Sequence, residues 1–519
     1  MSQSYFLGIE LGSTRIKAVL IDESMSVVAT GSHTWENQLV DGVWSYALPD
    51  VWAGLRGAYT DLAADAAGID GALTNLSCIG ISAMMHGYLA FDAEGELLVP
   101  FRTWRNTSTG QASEELTQEL GFTMPQRWSG SHLYQAVLNG EDHVSKIDFL
   151  TTLAGYVHWI LTGQRVLGVG DASGMLPIDP ISHQWDQPRL QKVQALLDAH
   201  QAGIDLAKIL PAIQDAGTVA GQLTEEGARL LDPSGQLAAG IAFCPPEGDA
   251  GTGMVATNAV APRTGNISAG TSIFAMIVLE RALKELHPEI DLVTTPAGDP
   301  VAMVHCNNGA SEIDAWVKVF GQFTAKAGLK LDNAALFSTL FNAALEGESD
   351  GGGLMAYNYL AGETITGLEH GRPVVLRTPD SHLNLANLAR TLIMSSFGTL
   401  SLGMRILALE QVEVDSMFAH GGIFATKGVA QRLMAAALSA DVSVGETASE
   451  GGAWGMAVLA AYAGNTQGLN LTDYLASTVF TDQALITVTP DPDDVAGYTK
   501  FLANYERGLP ILRTAAESC

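Results

Sequence analysis

Apolar residues dominate two short runs near the N-terminus, residues 5–11 and 16–21, and the segment between them begins with three small residues. These small residues are Gly12, Ser13 and Thr14. The pattern predicts two strands joined by a turn, that is, a β-hairpin. A glycine and two hydroxyl side chains at its tip would let a phosphate approach the backbone N–H groups closely. For this segment alone, an ordinary hairpin turn is the alternative.

The same plan recurs near the middle of the chain. Residues 266–277 contain two apolar runs separated by Gly270, Thr271 and Ser272. Aligning Gly270 on Gly12 gives an offset of 270 − 12 = 258 residues, close to half of the 519-residue chain. This repeat predicts two related α/β domains, each of which offers one phosphate loop to a shared cleft.

A carboxylate at mid-chain is the leading candidate for chemistry. Residues 241–244 are apolar and are followed by two prolines, which predicts a short buried strand, and residues 254–257 suit the first turn of a helix. Asp249 lies between them among small residues, where a ligand could reach it and the helix N-terminus would favour its charged form. The alternative is that Asp249 only caps the helix.

Residues 78–83 form another predicted strand, and Met85, His86 and Gly87 follow it. Ligands of open α/β sheets bind beyond the carboxyl ends of strands, so His86 could lie beside a substrate. Trp104 and Asn106 offer a stacking surface and an amide, a mixture that suits a polar sugar. A structural histidine and a surface corner are the respective alternatives.

Further helices are predicted at residues 48–67, 146–162 and 385–409, and the last of these is apolar enough to be buried. The C-terminal segment predicts a helix that ends before Pro510. Glycine pairs at 421–422 and 451–452 each precede a predicted helix, where a flat ring such as adenine could lie against the backbone.

Composition limits the class of protein. The length predicts two or more domains, and 47% hydrophobic with 16% charged residues is typical of a packed globular chain. A net charge of −29 argues against binding to nucleic acid or anionic membranes. Four scattered cysteines suit a reducing compartment, and neither a leader nor a membrane span is expected.

These motifs together resemble the FGGY family of carbohydrate kinases over nearly the whole chain. The resemblance rests on residues 8–14, Met85-His86-Gly87, residues 171–174, Gly248-Asp249, residues 270–272, and the glycines of 421–422 and 452–455. It implies an α/β, two-domain, actin/hexokinase-type (ribonuclease H-like) fold with an interdomain catalytic cleft. The domains would be a sugar-binding domain at 1–255 and a nucleotide-binding domain at 256–519.

The resemblance also implies roles for residues. Asp249 matches the catalytic base, which accepts the proton of the sugar hydroxyl that attacks the γ-phosphate of ATP. Glu10 and Asp249 would hold Mg²⁺ through water. The expected sugar contacts are Met85, His86, Gly87, Trp104, Asn106 and Asp249. The expected ATP contacts are Gly12, Ser13, Thr14, Gly270, Thr271, Ser272, Gly421, Gly422 and Gly452.

Within the family, Met85-His86-Gly87 looks most like the xylulokinases, which implies a keto-sugar, most simply a ketopentose such as D-xylulose, phosphorylated at a terminal hydroxyl. Ribulose, fuculose, gluconate and glycerol stay open as alternatives. Three departures bear on activity: Glu10 replaces the usual aspartate, Ile423 replaces a small residue, and residues 131–135 replace a proline-lysine pair.

These departures leave a second hypothesis open, a nucleotide-binding regulatory protein of the same fold without kinase activity. A dehydrogenase is poorly supported because no GxGxxG motif follows the first strand. The expected partners are a small sugar and ATP, not nucleic acid or membrane, and the expected location is the cytoplasm. Many relatives form dimers, so a homodimer stays open.

Overall fold

A computed structural model describes residues 3–445, 451–464, 466–481 and 485–518. The chain folds as two compact units. The first contains residues 1–261, 286–301 and 450–482, and the second contains 262–285, 302–449 and 483–519. The predicted contiguous division at 255/256 and this grouping differ in three segments, 256–261, 286–301 and 450–482, which the prediction assigns to the second domain.

The first unit is built on a mixed sheet. From one edge its strands run in the order Gly221–Gln222, Ala242–Phe243, Leu76–Ala83, Tyr5–Leu11, Arg15–Asp22 and Val27–Thr34. Glu247–Gly248 pairs in parallel with the last two residues of Leu76–Ala83. The predicted N-terminal hairpin is confirmed, with Tyr5–Leu11 antiparallel to Arg15–Asp22.

Two glycines allow helices to pack closely on opposite faces of this sheet. A Cβ at Gly8 would overlap the carbonyl oxygen of Ala453 in helix Gly451–Tyr462, and a Cβ at Gly31 would overlap backbone atoms of helix Leu48–Asp65. These helices bury the apolar sheet residues between them, which gives this unit a core of fully buried side chains.

The remaining strands of the first unit form small sheets or lie apart from the main one. They are Gln38–Val40, Val43–Ser45, Leu89–Phe91, Phe149–Thr151, Val166–Gly168, Ala212–Gln214 and Ile290–Thr294. The helices of this unit are Leu48–Asp65, Gly110–Leu120, Ser129–Leu138, Val144–Lys146 (3-10), Leu153–Thr162, Val169–Ala172, Gln187–Ala199, Leu206–Ile209, Glu225–Leu231, Asp249–Ala256, Gly451–Tyr462, Leu471–Tyr474 and Leu475–Val479 (π).

The second unit repeats the hairpin plan. Thr264–Ala269 lies antiparallel to Ile273–Val278 and parallel to Ser416–His420, so the predicted second hairpin is confirmed. Six strands of its sheet follow the order Pro300–Cys306, Ile273–Val278, Thr264–Ala269, Ser416–His420, Val442–Val444 and Ile486–Val488. Residues of Pro300–Cys306 from 302 onward belong to this unit.

A separate two-stranded sheet in this unit joins Met355–Tyr357 and Val374–Leu376. The helices of the second unit are Ser311–Lys326, Asn333–Ala344, Thr364–Thr366 (3-10), Leu385–Leu409, Gly422–Phe424 (3-10), Val429–Leu438 and Pro492–Ser518.

Helix Leu385–Leu409 has the predicted bounds and is largely buried. Within the described ranges it is the one helix long and apolar enough to cross a membrane by length and composition, with 67% of its most apolar window buried inside the protein. Packing in the core accounts for that composition, as it does for buried helices of globular proteins.

Three helix predictions were wrong. Residues 254–257 were predicted as the first turn of a helix, but that helix begins at Asp249 and ends at Ala256. The segment predicted as a helix at 146–162 begins with strand Phe149–Thr151, because these residues pair with Leu89–Phe91, and the helix starts only at Leu153. Pro510 was expected to follow the last helix, but Pro492–Ser518 continues through it.

Candidate active site

The tip of the first hairpin exposes Ser13 and Thr14 while its carbonyl groups point into the protein. The carbonyl of Gly12 accepts a hydrogen bond from Trp35 Nε1 at 2.7 Å, and that of Ser13 accepts one from the Tyr46 hydroxyl at 2.6 Å. The carbonyl of Thr14 accepts the Trp35 backbone N–H at 3.2 Å. In a trans peptide the N–H points opposite to the C=O, so the N–H groups of Ser13 and Thr14 face away from these partners.

The tip of the second hairpin is arranged in a similar way inside its own unit. The carbonyl groups of Gly270 and Thr271 accept backbone N–H groups of Ala310 and Gly309, each at 2.8 Å. A Cβ at Gly309 would collide with this tip, so only glycine permits the approach. Thr271 is exposed, as an expected phosphate contact must be.

Asp249 is the first residue of helix Asp249–Ala256. The structure therefore makes Gly248, not Asp249, the N-cap, and the carboxylate is half-buried. Its Oδ1 accepts the backbone N–H groups of Met85 at 3.2 Å and Ala250 at 2.9 Å. Burial raises the pKa of Asp249 from 3.8 to about 6, and the two N–H donors limit the rise. Such a value suits a group that exchanges a proton near neutral pH.

Met85, His86 and Gly87 turn sharply after strand Leu76–Ala83. His86 has φ 70° and Gly87 has φ 88°, both in the left-handed region. This conformation is unfavourable for histidine but not for glycine. The ring of His86 stacks on that of Trp128 with centroids 6.0 Å apart, and its Nδ1 lies 3.0 Å from the carbonyl oxygen of Gly174. The Met85 N–H, just before this turn, donates to Asp249, which places one of the predicted sugar residues beside the predicted base.

Glu10 lies at the end of the first strand, opposite Lys17 and beside Ser82 in the sheet. Burial, and then the charge of Asp249, raise the pKa of Glu10 from 4.5 to about 7, while Lys17 and a backbone hydrogen bond with Ala453 oppose the shift. Ala453 lies in the first turn of helix Gly451–Tyr462, so the Glu10 carboxyl group also accepts a hydrogen bond from the N-terminus of that helix.

The structure places Gly452 in the first unit, in the first turn of helix Gly451–Tyr462. A side chain at Gly452 would overlap the carboxylate of Glu10 and lie 2.8 Å from Thr252 Oγ1. Thr252 Oγ1 is in turn 3.2 Å from Ser82 Oγ. The observed role of Gly452 is thus to let its helix approach Glu10, and a nucleotide contact by Gly452 stays a prediction.

Trp104 and Asn106 lie on one loop, but they differ in how much of each side chain remains available to contact a sugar. Trp104 packs against the core of the first unit and is half-buried. The buried Asn106 side chain accepts the Trp44 N–H at 2.9 Å and donates to the carbonyl oxygens of Trp44 at 2.8 Å and Thr103 at 3.0 Å. Both of its N–H donors are used by the backbone, so a sugar could use only the remaining lone pair of Oδ1.

Two further buried acids lie near Asp249 and were not predicted as functional. Burial raises the pKa of Asp171 from 3.8 to about 7 and that of Glu247 well above its ordinary value. Thr152 donates to Asp171 at 2.6 Å, and the Asp171 N–H donates to Glu247 at 3.0 Å. Gly168 and Gly170 make room for the Glu247 carboxyl group, since a Cβ on either would overlap it. Sequence spacing gives no sign of this arrangement.

A second unpredicted feature begins at the residue that precedes helix Ser129–Leu138. Trp128 and His132, four residues apart, are fully buried, and Trp128 Nε1 and both His132 ring nitrogens have no hydrogen-bond partner among the described residues. Trp128 stacks on His86, and His132 lies 6.1 Å from Tyr88 between ring centroids. The sequence marks residues 131–135 only as a departure from the family pattern.

Gly421 and Gly422 follow strand Ser416–His420 in the second unit. Gly421 has φ 116°, and a Cβ there would overlap the backbone of Ala269, so the turn requires glycine. At Gly422 a Cβ would meet no atom within 4 Å, so space is open beside its backbone. Ile423 points inward and is only 4% exposed. An adenine ring could lie on Gly422, and this contact stays a prediction.

The donor set suits Mg²⁺ only in a limited way. Magnesium is commonly held by one or two carboxylates together with phosphate oxygens and water. Glu10 and Asp249 could supply the two carboxylates. Across the described ranges, no group of three or more His, Cys, Asp or Glu side chains could hold a metal ion by itself. The residues therefore fit a metal that arrives with a nucleotide better than a resident one.

Comparison with known families identifies both halves of the chain. Residues 5–237 match the N-terminal domain of the FGGY family of carbohydrate kinases, and residues 265–464 match its C-terminal domain. Together they cover most of the 519 residues.

Similar proteins agree with the match. Xylulose kinase of Klebsiella pneumoniae is 26% identical over 263 residues, which are 48% of this chain and 50% of that protein. The chain thus spans about half the length of this curated relative. The structure of a xyloylose kinase from Brucella ovis superposes with a TM-score of 0.79 at 19% identity, covering 98% of this chain and 100% of the other. Gluconate kinase from Lactobacillus acidophilus gives 0.81 at 17%, covering 99% of each. The predicted α/β fold class is confirmed.

Proposed function

Because the chain belongs to the FGGY family of carbohydrate kinases, we propose that it transfers the γ-phosphate of ATP to a terminal hydroxyl of a keto-sugar. A ketopentose such as D-xylulose is the proposed substrate. The observation that carries the proposal is the bond between Asp249 Oδ1 and the Met85 N–H. It ties the only predicted base to the loop that is predicted to bind the sugar.

Asp249 acts as the general base in this proposal. Its carboxylate accepts the proton of the attacking hydroxyl, while two backbone N–H groups hold Oδ1 in place. Phosphoryl transfer depends more on positioning and charge stabilisation than on covalent chemistry, so a fixed carboxylate near the sugar loop suffices as the base.

The two hairpin tips bind phosphate groups of ATP, with Gly12, Ser13 and Thr14 on one and Gly270, Thr271 and Ser272 on the other. Their inward-facing carbonyl groups support this role, because phosphate binding requires N–H groups that face outward. Gly421 and Gly422 take the adenosine, and Gly452 is a weaker candidate. Mg²⁺, held through water by Glu10 and Asp249, would neutralise charge on the phosphate oxygens.

The sugar is assigned to Met85, His86, Gly87, Trp104 and Asn106 beside Asp249. The name of the Klebsiella pneumoniae relative supports a ketopentose, and the fold shared with a gluconate kinase keeps sugar acids open. A panel of pentuloses, hexuloses, polyols and gluconate, each with ATP and magnesium, tests this choice. ADP release that is stimulated most by a ketopentose supports the proposal, and stimulation only by another member moves the assignment to that member.

The base is tested by Asp249→Asn, with Asp50→Asn as its matched control. Asp50 is an exposed carboxylate in the first turn of helix Leu48–Asp65 in the same unit. Removing a general base should lower kcat by about 10² to 10⁴-fold, whereas the control should keep its rate. A rate for Asp249→Asn within tenfold of the wild type would exclude Asp249 as the base.

A second candidate is a nucleotide-binding regulatory protein of the same fold. Glu10 favours it, since a carboxyl group with a raised pKa that serves a helix end is a poor organiser of magnesium. This candidate predicts ATP binding in calorimetry with no sugar-stimulated ADP release from any panel member. Sugar-stimulated release from one member excludes it.

The remaining proposals concern the setting of the protein. Cys78, Cys244 and Cys306 are unpaired and buried, which supports the proposed location in the reducing cytoplasm. The proposed partners are the sugar and ATP, and a homodimer stays open. Light scattering of the purified chain would settle its oligomeric state.

A further inference from the structure

We infer that Trp35 and Tyr46 are positioning residues for the phosphate loop at Gly12–Thr14, a role that rests on the proposed kinase function. Neither residue belongs to the predicted site. Both lie directly after short strands, Val27–Thr34 and Val43–Ser45, and both are almost fully buried, with 7% and 2% of their surface exposed.

The contacts between this pair and the loop are consecutive. Trp35 Nε1, the Tyr46 hydroxyl and the Trp35 backbone N–H donate in turn to the carbonyl oxygens of residues 12, 13 and 14. The two side-chain bonds are 2.7 and 2.6 Å long. An ordinary hairpin turn needs no such side-chain donors, since its own strands close it.

The pair is itself rigid. The two rings stack with centroids 4.1 Å apart and an interplanar angle of 25°, and Tyr46 also lies 6.4 Å from Phe101 between ring centroids. Burial raises the pKa of Tyr46 to about 12, so its hydroxyl stays a donor at physiological pH. The loop is therefore held by donors that have little freedom of their own.

The consequence of these bonds is the orientation of two peptide planes. With the carbonyls of Gly12 and Ser13 held inward, the N–H groups of Ser13 and Thr14 face the exposed side of the tip. Outward N–H groups at a hydroxyl-bearing turn bind phosphate oxygens. The second hairpin reaches the same orientation with backbone donors, Gly309 and Ala310, so two unrelated supports produce one geometry.

The experiment removes the two side-chain donors. Tyr46→Phe deletes only the hydroxyl and keeps the ring, and Trp35→Phe replaces the indole with a smaller ring that has no N–H group. The control for the first is Tyr59→Phe, because the Tyr59 hydroxyl is buried in the same unit with no hydrogen-bond partner among the described residues. The control for the second is Trp52→Phe, because Trp52 Nε1 donates to Tyr156 and not to the loop.

Affinities for ATP with magnesium, ADP and adenosine are measured by calorimetry, and kcat and KM are measured with the best sugar of the panel. A released carbonyl lets the tip turn, so each loop variant should weaken ATP binding by about tenfold. Adenosine affinity and the KM for sugar should not change. The melting temperature of each variant is measured as well, and a loss of ATP affinity with unchanged adenosine affinity separates positioning from stability.

Equal ATP affinities for Tyr46→Phe and Tyr59→Phe would overturn the inference while the kinase function stands. Equal losses for ATP and adenosine would also overturn it, because they would indicate general damage to the fold. If the wild type binds ATP but phosphorylates no sugar, the kinase function fails, and the binding data alone still decide the role of the pair. No binding of ATP by the wild type overturns both.

Discussion

Replacing Asp249 with asparagine should lower kcat by about 10² to 10⁴-fold and at the same time stabilise the folded chain. Asparagine has nearly the same shape, and its Oδ1 can still accept the N–H groups of Met85 and Ala250. The substitution therefore removes a charge without removing these hydrogen bonds.

The magnitude follows from the pKa of Asp249, which burial raises from 3.8 to about 6. Between these values the folded chain keeps a proton that the unfolded chain has lost, so this carboxyl group makes folding less favourable as pH rises. A difference of about 2 pH units corresponds to about 3 kcal/mol at neutral or higher pH. Because the side chain is partly accessible, solvent screening makes this an upper value.

The assay compares melting temperatures of the wild type and Asp249→Asn at about pH 8 and about pH 4.5, where linkage leaves roughly 1 kcal/mol of the effect. For a unit of this size the variant should melt up to about 5 °C higher at the upper pH, and the gain should shrink at the lower one. Asp50→Asn should show no gain at either pH. A variant that melts at a lower temperature than the wild type at pH 8 would refute the claim that burying the charged Asp249 carboxylate makes folding less favourable.

Three further results are expected. In the wild type, kcat/KM should fall about tenfold per pH unit as pH drops below about 6, because protonated Asp249 cannot act as a base, and a flat pH profile of kcat/KM would contradict this. Gly8→Ala should lower the free energy of unfolding, measured in denaturant, by about 3 kcal/mol or more, because its Cβ would overlap Ala453. Gly110→Ala is the control and should be tolerated, because its Cβ would lie 3.8 Å from the nearest side chain. Asn106→Ala should lower the free energy of unfolding by about 1–3 kcal/mol, because its hydrogen bonds to the backbone are lost. An unchanged free energy of unfolding would show that this amide is available to bind a ligand.

Local patterns predicted the elements that carry the site. Both hairpins and the short strand at 242–243 were predictable because each is specified by neighbouring residues, whereas the helix after that strand was predicted to start near residue 254 and in fact begins at Asp249. Strand Phe149–Thr151 was missed because it depends on pairing with a segment about sixty residues earlier. A local apolar run cannot distinguish a strand from a helix without that partner.

The chemistry around Asp249 was less predictable than its position. Asp171 and Glu247 become neighbours only when Gly168 and Gly170 leave room between distant segments. Asn106 has the residue type of a sugar contact, yet its donors serve the backbone of Trp44 and Thr103. The type of a side chain can be read from the sequence, but its remaining hydrogen-bonding capacity depends on tertiary packing.

The close fit between helix Gly451–Tyr462 and the strand at Gly8 has a consequence for synthesis on the ribosome. The helix that covers one face of the first sheet is translated more than four hundred residues after that sheet begins. Until it emerges, the nascent chain presents an uncovered apolar surface, which is prone to association with other chains. We therefore expect a fragment that ends at residue 261 to require a chaperone, even though it contains every described strand of that sheet.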